Sequence, residues 1–215
     1  MSLQSGLIAW WSLQENNGLR MSHNSLNNLV PQTAVTGIDG IVTPYASHFN
    51  SASSHRLSLP NNNDLKMGDI DFSFCFWASV DSTSGPRTIL SKFTSQTVRE
   101  YSIFTLGSRT GGRIEFNLYN NAGTIFGQVA TPASSWDMAD RSWKFGYAAH
   151  DSQANKSLVS INAGEIYTAN TTDVPTSSVT PTFYVGNNSG SNSFWNGNIN
   201  GIGIWKRLLT QTEIN

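Results

Sequence analysis

A single cysteine, Cys75, stands in 215 residues, so no disulfide can form within the chain. Charge is scarce too. Asp, Glu, Lys and Arg make up 13% of the residues, against about 25% in an ordinary soluble domain, and the formal net charge is −1. No run of Lys and Arg is present. That argues against nucleic acid, whose phosphates draw clustered cations, and against a polybasic membrane patch. No apolar run approaches the roughly 18 residues of a membrane-spanning helix, so membrane insertion is not expected. The leading residues lack the charged-then-apolar pattern of a secretory signal. Residues 1–5 read as a lead-in left by expression, and 6–215 as one domain cut from a longer protein. The four histidines, His23, His48, His55 and His150, lack the close spacing of a zinc site.

Helical periodicity is missing as well: no window of 11 or more residues repeats apolar positions every 3.6 residues. What fills the chain is Asn, Ser, Thr and Gly around short apolar runs. Twelve strand-like runs can be read at 6–13, 46–50, 55–60, 70–80, 87–93, 99–107, 112–120, 124–130, 142–151, 156–167, 180–187 and 196–207. Turn chemistries such as "NNG", "SGP", "TGG", "NAG" and "NSGSN" join them. The one helical signal is "LTQTEI", where Thr210 precedes Glu213 at capping-box spacing. Many short strands without long helices predict an all-β fold, an antiparallel sandwich or barrel.

Strand residues alternate between two faces. Phe72, Phe74 and Phe76 oppose Cys75 and Trp77. Ile114, Phe116 and Leu118 oppose Arg113, Glu115, Asn117 and Tyr119. Trp143, Phe145, Tyr147 and Ala149 oppose Lys144, Gly146, Ala148 and His150. The fully apolar faces are expected in the core between two sheets. The mixed faces are expected outside, carrying Trp77, Tyr119, Asn117, Glu115, Arg113, Lys144 and His150. Cys75, inside "DFSFCFWASV", reads as a packing residue. A second aromatic pair, Trp136 with Trp143, is expected inside, and Trp195 in "NSFWNG" as a lid over Trp77.

Several segments together resemble a known family: "GLIAWWSLQE…NGLR", "LSLPNNNDLKMGDIDFSFCFWASV", "TILSKF…REY", "SWKFGYAAHDSQANK" and "FYVGNNSGSNSFWNGNINGIGIWKRLLTQTEI". They are similar to the laminin-G-like jelly-roll domain of the concanavalin A-like lectin/glucanase superfamily, in the form found within large bacterial and phage proteins. The resemblance runs from about Gly6 to Ile214. It implies a two-sheet antiparallel jelly roll whose first and last strands are adjacent, and a secreted, cell-surface or virion setting. In such relatives the last strand commonly reads Ile-Asp and an early segment Arg-x-Asp-Ser, with carboxylates that help hold calcium or brace a loop. Here Asn200 and Ser22 stand at those positions. Calcium favours charged oxygens, so the resemblance implies a degenerate calcium position, with Ser22 and Asn200 expected as a hydrogen-bonded pair. No cofactor is expected, calcium being at most a remnant.

The superfamily's glucanases use paired acids on one strand face. Here Asp69 and Asp71 lack the third acid, Ser73 and Phe74 standing in its place, and Glu115 is alone on its strand. His150 and Asp151 are neighbours that point to opposite faces. No nucleophile elbow or phosphate loop is present. No catalytic residue is therefore assigned. The expectation is a non-catalytic recognition module, carbohydrate-binding through aromatics that stack on sugars beside hydrogen-bonding groups. The alternative is a protein-interaction, adhesion or spacer module that meets a cell-surface protein through rim loops 20–40, 81–86, 132–141 and 187–196.

Overall fold

The computed structural model describes residues 2–60, 63–81, 85–107, 111–174, 181–189 and 193–215. Residues 82–84 and 190–192 of the expected rim loops, and position 180 of one expected strand, lie outside them. Among the described residues fifteen strands form two antiparallel sheets. The first sheet runs β13(Tyr167–Asn170), β12(Lys156–Ile161), β11(Lys144–Asp151), β6(Phe72–Val80), β15(Gly197–Trp205), β4(Tyr45–Phe49), β3(Thr36–Asp39). The second runs β10(Ile125–Ala130), β9(Arg113–Tyr119), β8(Val98–Leu106), β7(Arg87–Ser95), β14(Phe183–Val185), β5(Leu57–Leu59), β2(Val30–Pro31). The first strand, β1(Leu7–Trp11), pairs with the last, β15, as expected. This is the two-sheet jelly-roll sandwich.

The inner faces meet in one core. Phe72, Phe74 and Phe76 of β6 face Ile114, Phe116 and Leu118 of β9, as alternation predicted, and Phe74 lies edge-on to Phe116 at 6.1 Å. Trp136 is buried as expected, but its partner is Trp195 at 6.2 Å. Trp195 is thus a core residue and not a lid over Trp77. Cys75 is buried on the outer side, and desolvation pushes its thiol far up, away from the reactive thiolate.

β11 overturns an expectation. Ala148 belongs to the main core, and His150 packs its ring 5.6 Å from that of Phe72, so Lys144, Gly146, Ala148 and His150 line the inner side. Phe145, Tyr147 and Ala149 face outward. They stay covered because the chain after β15 folds back over them, bringing Leu208, Leu209 and Ile214. The strand has two apolar-tolerant faces, and alternation cannot say which one meets the other sheet. Gly146 follows from this packing, since a Cβ there would collide with the Phe76 ring. Gly146→Ala is expected to destabilise by about 1–3 kcal/mol through overpacking, read as a lower denaturant midpoint at unchanged m-value.

The terminal cap is α1(Gln211–Ile214). Glu213 accepts from the Thr210 backbone N–H at 3.0 Å, completing the expected capping box, and takes both arms of the Arg207 guanidinium at 2.7 Å each. Arg207 Nε in turn donates to the Ser5 carbonyl at 2.6 Å, and Trp205 Nε1 to the Leu3 carbonyl at 2.7 Å, tying the leading residues to the cap. The Arg207 contact, with the Thr210 N–H, holds the Glu213 carboxyl down to about 2 from its ordinary 4.5. A depressed carboxylate stabilises above its unfolded value and loses that contribution as pH falls through its folded value. Glu213→Gln should therefore lower the melting temperature at pH 7, and the difference from wild type should vanish as pH falls from about 4.5 toward 2.

Candidate binding site

The seven residues expected on one mixed face occupy three places. Arg113, Glu115, Asn117 and Tyr119 lie on β9, in the second sheet, and line or border its outer face. Trp77 lies on β6, on the outer face of the first sheet. Lys144 and His150 turn inward at opposite ends of β11. Lys144 Nζ donates to Asp140 at 3.1 Å, and His150 Nε2 lies 3.2 Å from Asp69. The expected single face required these strands to be neighbours. β6 and β11 are, but β9 belongs to the other sheet.

The outer face of the second sheet carries a cleft of about 710 Å³ across β7 to β10. Pairing register assembles its floor. Ser102 of β8 stands opposite Asn117 of β9, which stands opposite Gln128 of β10; one step along, Phe104 stands opposite Glu115. Gln128 Nε2 donates to Glu115 Oε1 at 2.5 Å, and Ser102 Oγ and the Tyr119 hydroxyl share a bond of 2.9 Å. Arg113 Nη2 approaches Glu115 Oε2 only to 3.7 Å. Asn117 is 3% exposed, and its Oδ1 has no hydrogen-bond partner among the described residues. An orphaned buried acceptor is costly, which makes it the unusual atom of this floor.

Tyr119 is not an open stacking platform. Gly123 takes a positive φ of 71° in the β9–β10 turn, where Asn120 Oδ1 accepts the N–H groups of Ala122 and Thr124. The Gly123 carbonyl accepts from Arg99 Nε at 2.7 Å, and this sets the guanidinium over the Tyr119 ring at 4.2 Å. Phe104, half-buried, supplies an aromatic wall instead. Sequence reasoning missed Ser102, Phe104, Leu106 and Gln128. The alternation Ser102, Phe104, Leu106 was a visible signal, but nothing in it tells which strand will lie beside β9.

A second cleft, of about 630 Å³, opens on the first sheet's outer face between Trp77, Trp143, Phe145 and the end of α1. Trp77 and Phe145 lie 5.5 Å apart. Trp143, expected inside with Trp136, lines this cleft because it precedes β11 on the outward face.

Ser22 and Asn200 do not pair. Ser22 Oγ donates to Asn24 Oδ1 at 2.7 Å and accepts the Asn27 N–H. Asn200 is fully buried. Its Oδ1 accepts the N–H groups of Ile41 and Val42 at 3.0 and 2.9 Å, while Nδ2 faces the carbonyls of Ser12 and Tyr45 and the hydroxyl of Thr43 at 2.7, 3.2 and 2.9 Å. The amide NH₂ holds the oxygens a cation would need, so the residues present do not fit calcium. Among the described residues no group of three or more His, Cys, Asp or Glu is placed to hold a metal.

The profile of the Laminin_G_3 family, described as concanavalin A-like lectin/glucanases superfamily, matches residues 51–215. The chain belongs to this superfamily. Solved structures with the same fold include the binding domain of Paraclostridial Mosquitocidal Protein 1 (TM-score 0.75, 13% identity, 97% of this chain and 51% of that one). The binding domain of botulinum neurotoxin DC in complex with SialylT is also similar (TM-score 0.69, 17% identity, 100% and 51%). So is domain 4 of AbnA, an extracellular arabinanase from Geobacillus stearothermophilus, in complex with arabinotriose (TM-score 0.72, 14% identity, 98% and 97%). This superfamily member spans about half the length of those toxin domains and nearly all of the arabinanase domain. No curated protein sequence matches it. Among the described residues no helix is long and apolar enough to cross a membrane.

Proposed function

We propose that the chain is a non-catalytic recognition module that binds carbohydrate in the cleft on the outer face of the second sheet. The observation that carries this reading is Asn117 Oδ1, a buried acceptor without a partner among the described residues, on a floor otherwise built of Ser102, Glu115, Gln128 and Tyr119. A sugar hydroxyl can donate to Asn117 Oδ1 and accept from the amide groups beside it, and Phe104 offers a face for ring C–H groups. Two solved neighbours, the arabinanase domain with arabinotriose and the neurotoxin domain with SialylT, support the class of ligand. Glu115 is the one carboxylate among the described residues lining the cleft, where glycoside hydrolysis ordinarily needs two. A secreted, cell-surface or virion setting accompanies this reading, and the extracellular arabinanase neighbour supports it.

The test is a glycan and polysaccharide array with and without EDTA, followed by titration of the best binder. Binding is expected in both conditions. Asn117→Ala should weaken it about tenfold or more, as loss of one buried hydrogen bond implies. Unchanged affinity in Asn117→Ala would remove this cleft from the reading. A second reading is protein recognition through the Trp77–Trp143–Phe145 cleft, since half-buried tryptophans are frequent anchors of interfaces. Loss of glycan binding in Trp77→Ala, with Asn117→Ala silent, would transfer the sugar site there.

A further inference from the structure

The cleft on the second sheet is longer along its strands than across them. Pairing register divides its floor into rungs. Leu106 stands opposite Arg113, Phe104 opposite Glu115 and Ser102 opposite Asn117, and at the far end Tyr119 stands opposite Ile125. From Arg113 to Tyr119 these rungs span about 20 Å at roughly 3.4 Å per residue, against about 14 Å across the four strands. Asn188 and Ser193 bank the β7 side of the cleft. Ser193 Oγ accepts from the Thr88 hydroxyl at 3.2 Å and donates to Asn188 Oδ1 at 2.5 Å, which holds this bank against the strand.

The chemistry changes along this length. At one end Phe104 and Leu106, both half-buried, offer apolar surface. The middle rung is polar, built of Ser102, Asn117 and Gln128, and it holds Asn117 Oδ1, without a partner among the described residues. At the other end Ile125 is 42% exposed beside the buried Tyr119, whose ring carries the Arg99 guanidinium. An apolar side chain left this open at the end of a buried floor is surface available for covering. Phe104 stands at the rung of Glu115 and Ile125 at that of Tyr119, four positions on, so they lie roughly 13 Å apart along the strands. One sugar ring cannot touch both. Asn117 lies midway between them.

We infer that the cleft takes a linear oligosaccharide of three or more rings lying along the strands, with successive rings over Phe104, Asn117 and Ile125. The inference rests on the carbohydrate reading above and adds the length and orientation of its ligand. The middle ring supplies the hydroxyl that Asn117 Oδ1 lacks, and each outer ring buries a C–H face on an apolar side chain. Ile125 is the residue that sets the length, because only a chain already seated on Phe104 and Asn117 reaches it with a further ring.

The test is titration of the whole chain, and of Ile125→Ala and Phe104→Ala, with linear ladders of glucose, xylose and arabinose oligosaccharides from monosaccharide to hexasaccharide, with melting curves to verify folding. In the ladder that binds, wild-type affinity should rise about fivefold or more from disaccharide to trisaccharide. Ile125→Ala should remove that step while leaving the disaccharide affinity unchanged, and its exposed position keeps the fold intact. Phe104→Ala should weaken disaccharide and trisaccharide alike. Affinity that is already level from the monosaccharide or disaccharide onward, or an Ile125→Ala variant that weakens every length equally or none, overturns the length reading while leaving the carbohydrate module intact. Silence across all the ladders removes the module and the length reading together.

Discussion

Lys92→Met is expected to destabilise the protein by about 3–5 kcal/mol, lowering the melting temperature by about 6–20 °C. Lys92 and Glu100 lie on adjacent strands, β7 and β8, with their side chains 0% and 1% exposed. Lys92 Nζ is 2.8 Å from Glu100 Oε2, placed as an ion pair rather than along a directed hydrogen bond. Burial pulls the Lys92 proton affinity down, and the Glu100 charge offsets part of that. Glu100 Oε1 accepts the N–H groups of Met67 and Gly68 at 2.7 and 3.2 Å, so the carboxylate also anchors the segment leading into β6. Methionine fills the space of lysine but leaves Glu100 charged, buried and uncompensated. Lys92→Met combined with Glu100→Gln should recover most of the loss, because glutamine keeps an acceptor for Met67 and Gly68 without the charge. Equilibrium denaturation of the two variants decides the matter. Equal loss in both would mean that the charge was not the cause.

Asn200→Ala carries the second large effect, about 2–4 kcal/mol, or roughly 5–15 °C in melting temperature. The side chain serves two donors on one side and three acceptors on the other, fixing the turn from Ile41 to Tyr45 onto β15 and onto Ser12. Alanine removes all of these bonds from a fully buried position. Asn200→Asp separates two explanations. A carboxylate still accepts from Ile41 and Val42, but it confronts the oxygens of Ser12, Thr43 and Tyr45 without a proton to offer. Its loss in EDTA should approach that of alanine, and millimolar calcium should restore part of it, since a cation can bridge oxygens that the amide now bridges. Wild type should melt at the same temperature in calcium and in EDTA. A calcium-induced rise in wild type would overturn this account of Asn200.

Asn200 also shows how far the residues could be read before the fold was known. Its place on the closing strand, and the fit of that strand beside β1, follow from the apolar pattern of "GNINGIGIW" and the family it resembles. Its partners do not. Ile41 and Val42 lie nearly 160 positions away, and nothing local distinguishes them from Ser22, which instead bonds Asn24 and Asn27. The same limit governs the cleft. Arg113, Glu115, Asn117 and Tyr119 share a face because a strand alternates, a property of the chain itself. That Ser102, Phe104 and Gln128 complete the floor depends on which strands pair with β9 and in which register.

Strand content, the apolar faces of β6 and β9 and the capping box at Thr210 were therefore determined by local pattern, because each depends on spacing within a few residues, whereas the jelly-roll class was implied by the family resemblance. Three things were decided only by tertiary structure. One is which face of β11 meets the core, reversed by Leu208, Leu209 and Ile214 covering the other side. Another is the division of the candidate residues between two sheets. The third is the cover that Arg99 lays on Tyr119. The physical reason is common to all three. Alternation gives a strand two sides, but burial of a side depends on what the rest of the chain brings against it.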